Sequence, residues 1–168
     1  MCDKDILQEI EYYNALPCVF EEFIELSELS DGVIHLVCKE KTPAIPEKGW
    51  VPMYAFDICV GAEKVGAIRL RVGYSDSLYY AGQIGYDVDE AHRGKGYALW
   101  ACRLIAPVAR AHGMAKLLIT TEESNTASKR VCEKLGARLV RTTPTPSWHD
   151  CYDDGWRLTS IYEWDLTK

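Results

Sequence analysis

The sequence predicts a mixed α/β (α+β) domain built on a mostly antiparallel sheet. Three observations carry this. The chain has 168 residues, 48% hydrophobic and 26% charged, which suits one folded domain over residues 1–168 with a single sizeable core. Helical periodicity dominates the N-terminal end, and three successive strand-like segments follow it. The C-terminal half then alternates strand, helix, strand, helix, strand, strand.

Residues 4–14 carry Ile6, Ile10 and Tyr13 at helical spacing, with Asp5 and Gln8 resembling a capping box. Pro17 starts a second segment, whose Val19, Phe20, Phe23, Ile24 and Leu26 predict a helix to about residue 28. Ser30-Asp31-Gly32 is a turn signal, and the β-branched, apolar run 33–38 reads as a strand. Residues 39–50 hold two prolines and mixed charge, so a long loop is expected. Segments 53–60 and 65–72 form a hairpin around 61–64, and 78–88 gives a third strand with Ile84, Tyr86 and Val88 on one face. A buried helix spans 96–112, containing Pro107 and closed by Gly113. A strand at 115–121, a helix at 125–135 ended by Gly136, a strand at 138–142, a polar loop at 143–155 and a strand at 157–166 complete the chain.

The net charge of −6 argues against a nucleic-acid or anionic-membrane partner, since both need a basic face. The seven cysteines are dispersed and odd in number, without metal-ligand spacing, so no metal site is expected. Such cysteines fit a reducing, cytoplasmic setting. No apolar run has the length of a membrane span, and Met1-Cys2-Asp3-Lys4-Asp5 lacks the design of a signal peptide.

The chemistry concentrates in residues 85–98, GYDVDEAHRGKGYA, a strand, a short turn and a glycine-rich helix start. A helix N-terminus leaves about four backbone N–H groups unpaired and carries partial positive charge. Gly94 and Gly96 have no side chain to keep a phosphate away, and Arg93 and Lys95 add charge, so the turn suits a pyrophosphate. The dinucleotide pattern G-x-G-x-x-G fails at Leu99, the acidic residue expected about 20 positions on is replaced by Lys116, and no P-loop is present. A glycine-rich turn without a ligand, or a nucleotide-binding turn of another kind, stays open on these residues alone.

Arg93-x-x-Gly96-x-Ala98 resembles the [Q/R]-x-x-G-x-[G/A] signature of the GNAT N-acetyltransferase superfamily. The likeness extends to Ala81–Val88 upstream and to Asn125–Ala137 downstream, roughly residues 65–140. It implies a GNAT-like mixed, mostly antiparallel central sheet with a splayed strand pair and about four flanking helices. It also implies acetyl-CoA as co-substrate. Arg93, Gly94, Lys95, Gly96, Tyr97 and Ala98 would wrap the pyrophosphate, and Tyr86 and Val88 would pair with the pantetheine arm. Asn125 and Ser128 would contact the same arm. Lys129 and Arg130 either meet the 3′-phosphate or form a solvated helix face.

The resemblance implies direct transfer of acetyl to an amine of a small-molecule or protein acceptor. Val88 N–H would be the oxyanion donor. Ser128 would donate to the departing sulfur, in place of the tyrosine that many relatives carry where Cys132 stands. For Cys132 the choice lies between that catalytic position and a small buried hydrophobe. Gln83 stands near where many relatives place a glutamate base, and Gln cannot titrate. Asp87, Glu122, Glu123 and His149 are the remaining base candidates, each otherwise a surface or loop residue. The acceptor pocket is expected from Trp50, Tyr54, Arg71, Tyr79, Tyr80, Trp148, His149 and Tyr152, with Arg71 either holding an acidic group of the acceptor or standing as a solvated strand position. A non-catalytic acyl-CoA binding or sensing domain is the alternative function, and exposed strands allow a homodimer.

Overall fold

The computed structural model describes residues 3–26 and 28–168. Met1 and Cys2 of the expected N-terminal start, and Ser27 within the expected second helix, lie outside the described residues.

Helix α1 (Lys4–Asn14) starts at Asp3, whose carboxylate accepts the Asp5 N–H at 2.9 Å, so the cap lies two residues before the expected one. Its Ile6, Ile10 and Tyr13 are buried on one face, as the periodicity predicts. They pack with Leu118 and Ile161 in a cluster that also holds Tyr79 and Tyr80.

The expected helix over 17–28 does not form; residues 17–26 are irregular. Tertiary partners take the groups a helix would have used. Val19 N–H donates to His112 O at 2.7 Å and Ile24 N–H to Tyr54 Oη at 3.0 Å. Phe20 stacks on His112, and Phe23 meets Tyr54 edge-on. The apolar spacing is real, but it serves an extended strap over the core.

Strands β1 (Leu29–Ser30), β2 (His35–Thr42), β3 (Met53–Val60) and β4 (Glu63–Arg71) form an antiparallel meander. β2 starts two residues later than expected because Asp31 Oδ1 accepts both the Val33 and Ile34 N–H at 2.8 Å, holding them in the turn. It also runs on to Thr42, shortening the expected loop.

Residues 78–88 are not one strand. Ser75 caps a short helix, α2 (Asp76–Ala81), by accepting the Leu78 N–H at 3.2 Å, and Gly82 ends it at φ 75°. Leu78, Tyr79 and Tyr80 are buried consecutively, which strand alternation does not permit on one face. Strand β5 is therefore Ile84–Val88.

Helix α3 (Tyr97–Ala111) continues through Pro107, and Gly113 follows it with φ 78°. It is less uniformly buried than expected, since Trp100 is exposed beneath the Arg103 guanidinium. Then come β6 (Lys116–Glu122), α4 (Thr126–Lys134), β7 (Arg138–Pro144), a short α5 (Asp150–Asp153) inside the expected polar loop, and β8 (Leu158–Asp165).

The eight strands lie in the order β1-β2-β3-β4-β5-β6-β8-β7, and β5–β6 is the one parallel contact among the described residues. Five α-helices lie among the described residues. One face carries α3 and α4, with Ile58, Ile68, Leu70 and Leu117 of the strands buried in one cluster with Ile105 of α3, each 0% exposed. Full burial of such side chains contributes about 1.5–3 kcal/mol each before entropy is counted. The other face carries α1 and α2.

Candidate active site

β4 and β5 pair along their length, from Leu70↔Ile84 to Gly66↔Val88, whereas β5 and β6 pair only at Ile84↔Ile119. Beyond that point the parallel neighbours part. Hydrogen bonds from Arg71 N–H to Gln83 O at 2.8 Å and from Asp89 N–H to Val65 O at 2.9 Å tie odd-numbered positions to β4. By strand alternation, Tyr86 and Val88 direct their backbone N–H and C=O away from β4, into the gap. The Val88 carbonyl is occupied by Arg93 Nε at 2.9 Å.

Gln83 guards the place where the strands part. Its side chain is buried, with Oε1 accepting Leu118 N–H at 2.6 Å and Nε2 donating to Gly73 O at 3.1 Å. A carboxylate could supply the first bond but not the second. The amide is a structural cross-link, which accounts for a glutamine at this position.

The start of α3 lies beside the gap. Gly94 and Gly96 hold φ 80° and 79°, the left-handed region that favours glycine, and no side chain caps the helix. A Cβ at Gly94 would meet nothing within 4 Å, so the turn is open on that side. The uncapped N–H groups face a cleft of about 510 Å³ between β5, α3 and α4. Eleven of the sequence candidates line it: Tyr86, Asp87, Val88, Arg93, Gly94, Gly96, Tyr97, Ala98, Asn125, Ser128 and Arg130. Lys95 and Cys132 are not among its lining residues.

The individual groups differ from their expected settings in instructive ways. Asn125 Oδ1 caps α4 by accepting Ser128 N–H at 3.1 Å. Ser128 Oγ is 2.7 Å from Tyr86 Oη, a hydroxyl contact that strand periodicity could not reveal, since it joins residues 42 apart in the chain. Burial raises the Tyr86 phenol while the Ser128 bond lowers it, with a net rise that keeps it protonated. Cys132 belongs to the core, 0% exposed, and burial pushes its thiol up to about 12. It packs as a small hydrophobe rather than standing in the cleft. Arg130 and Lys134 line the cleft, whereas Lys129 pairs with Glu123 at 2.8 Å.

The base candidates are mostly engaged elsewhere. The Glu122 carboxyl is held below the usual range by the Ser124 hydroxyl and by Ser124 N–H at 2.6 Å. His149 is buried, with Nδ1 accepting Cys151 N–H at 3.1 Å and Nε2 2.9 Å from Ser77 O. It pins the α5 loop to α2 and has no ring nitrogen to spare. Asp87 is exposed at the mouth of the turn, 3.9 Å from Arg93. Of the expected acceptor residues, Tyr54 and Tyr79 are core side chains: Tyr54 bonds His112 at 2.7 Å and Tyr79 bonds Glu9 at 2.5 Å. Trp50 and Trp148 are exposed, and Tyr152 lies under Arg157.

A sheet parted beside an uncapped, glycine-rich helix start defines an acyl-carrier-binding α/β fold. The model of the acetyltransferase (GNAT) domain matches residues 32–138, more than half of the chain, and the protein belongs to the GNAT acetyltransferase family. It is an acyltransferase. Among solved structures, the ribosomal L7/L12 alpha-N-protein acetyltransferase RimL in complex with coenzyme A is similar, with TM-score 0.60, 13% identity, and 82% of this chain and 97% of that one covered. A GNAT acetyltransferase from Bacillus anthracis has TM-score 0.55 at 22% identity, over 68% and 67% of the two chains. The microcin C7 self-immunity acetyltransferase MccE, solved with acetyl-CoA and AMP, has TM-score 0.50 at 16% identity, over 66% and 59%. No curated protein matches the chain. No helix among the described residues is long and apolar enough to cross a membrane.

Proposed function

We propose that residues 1–168 form one N-acetyltransferase domain that moves acetyl from acetyl-CoA to an amine of a small-molecule or protein acceptor. The reading rests on one observation: Tyr86 and Val88, whose backbone N–H groups face away from β4, border the same cleft as the uncapped N-terminus of α3. The pyrophosphate is received by N–H groups of residues 94–98, aided by helix charge and Arg93. The pantetheine arm adds as a strand along β5. This brings the thioester to Val88, whose N–H stabilises the oxyanion.

The amine lone pair attacks the thioester carbonyl carbon, the C–S bond breaks, and the proton the amine loses passes through solvent to the departing thiolate, giving the free thiol. The thiolate takes a hydrogen bond from Ser128, which Tyr86 Oη holds in place at 2.7 Å. Cys132 takes no part, since its enclosed thiol offers neither a nucleophile nor a path to sulfur. A cytoplasmic site of action and transfer without a covalent enzyme intermediate complete the reading.

Calorimetry with acetyl-CoA, followed by thiol release across a broad amine panel, tests it. Binding with turnover is the expected result. Binding with no thiol released for any amine would favour the sensing domain, and preference for NAD or ATP over CoA would overturn the assignment.

A further inference from the structure

Arg71 ends β4 on the face opposite α3 and α4. It stands across from Gln83 in register, next to the Arg69↔Gly85 pair, at the point where β5 leaves β6. Its guanidinium is largely withdrawn from water. Nη1 donates to Gly82 O at 3.2 Å, and no carboxylate lies within ion-pair distance among the described residues. Burial lowers its proton affinity and Arg69 lowers it further. A withdrawn, uncompensated charge is costly unless a partner arrives. Arg71 is half-buried rather than enclosed, and its Nη1 lies over Gly85, 3.6 Å from the place a Cβ would take there.

A second feature lies on the same face of the sheet. Thr120 Oγ1 is buried without a hydrogen-bond partner among the described residues. Thr120 is two positions beyond Leu118 on β6, so it shares the α1/α2 face with it and with Arg71. Gly82 lies between the two, since its carbonyl receives Arg71 and a Cβ there would stand 3.1 Å from Thr120 N. An orphaned hydroxyl and a guanidinium without a carboxylate partner thus lie on one face of the sheet, close to the point where β5 and β6 part.

We propose that Arg71 and Thr120 bind a carboxylate of the acceptor, with Arg69 as the outer positive charge. Resting on the acetyl-transfer reading above, this makes the acceptor an amine that also bears a carboxylate. One guanidinium matches one carboxylate in charge and in its two-pronged geometry, and the hydroxyl satisfies a remaining lone pair.

The test uses N-acetylglycine and N-acetylglycinamide as matched probes, read by the Arg71 Nε–Hε resonance with and without CoA. A saturable shift with the acid, at least tenfold tighter than with the amide and lost in Arg71→Gln, is expected. Thr120→Val should weaken it about threefold or more. In the amine panel, acids should exceed their carboxamides at least tenfold in kcat/KM, and Arg71→Gln should erase that preference without changing KM for acetyl-CoA. Equal responses to acid and amide in the native protein would overturn the inference, with no variant needed. CoA binding alongside such equality would sink this inference alone. A shift without any CoA binding would sink the acetyl-transfer reading alone.

Discussion

The side-chain oxygen of Gln83 accepts the backbone N–H of Leu118 at 2.6 Å, across the last point at which β5 and β6 are still neighbours. The same amide donates to Gly73 O, so one side chain closes three segments. Gln83→Glu keeps the acceptor and loses the donor, and it buries a charge. It should destabilise the protein by about 3 kcal/mol at pH 7. The new carboxyl would have its folded pKa raised, so the penalty should shrink as pH falls toward 4, where the protonated acid can donate again. Thermal melts at both pH values check this. Equal loss at both would mean that packing, not the donor, matters.

Gly94 is open on its outer side, so Gly94→Ala carries only the conformational cost of a left-handed backbone, about 1 kcal/mol. The added methyl would nevertheless occupy the space where a pyrophosphate approaches. Acetyl-CoA affinity should fall more than tenfold while the melting temperature shifts by only a few degrees. Arg93→Ala should weaken the same binding by about 1–3 kcal/mol through loss of a charge-assisted contact. Calorimetry on both variants measures this, and unchanged affinity in both would remove the turn from the site.

Tyr86 Oη and Ser128 Oγ form one unit at 2.7 Å. Ser128→Ala should lower kcat about tenfold or more, with KM for acetyl-CoA within about threefold, as for loss of a donor to the leaving group. Tyr86→Phe should cost less, because it disorders the serine rather than removing it. The double variant should be no worse than Ser128→Ala, since both changes act on one bond. Additive losses in steady-state kinetics would refute the coupling.

Glu163 on β8 receives Tyr13 Oη at 2.6 Å, Lys116 at 3.2 Å and Arg138 at 3.5 Å. Burial alone would raise its carboxyl, yet these three donors together hold it below the usual range. A lowered folded pKa contributes stability above the unfolded value of about 4.3, lost as pH falls through the folded value. Glu163→Gln should therefore cost about 3 kcal/mol at pH 7 and flatten the acid side of the stability profile. Urea titrations between pH 7 and pH 3 check it. An unchanged slope below pH 4 would assign the acid sensitivity elsewhere.

Much was legible in the sequence because it was local. Ile6, Ile10 and Tyr13 announce the buried face of α1 by spacing alone, and Gly94-Lys95-Gly96 announces a turn that only left-handed residues can make. The glycines and Ala98 also pointed to a phosphate, since that depends on backbone N–H groups whose direction follows from the helix itself. Phe20, Phe23 and Ile24 misled, because an apolar spacing says which side chains seek the core and not what their backbone does while getting there. Leu78–Ala81 misled for the complementary reason: Ser75 supplied a cap whose effect outweighed β propensity.

What the chain order determined by itself is most of the elements and the glycine-rich turn that opens α3, because both arise from interactions among residues a few positions apart. What only tertiary structure decided is which polar groups are used up and which are left over. Gln83, His149 and Glu122 find their partners in distant or folded-back backbone, Tyr86 meets Ser128, and Cys132 is enclosed. Among the described residues, Arg71 has a carbonyl but no carboxylate beside it and Thr120 Oγ1 has no hydrogen-bond partner. Hydrogen-bond satisfaction depends on three-dimensional neighbours, and a one-dimensional pattern does not contain them.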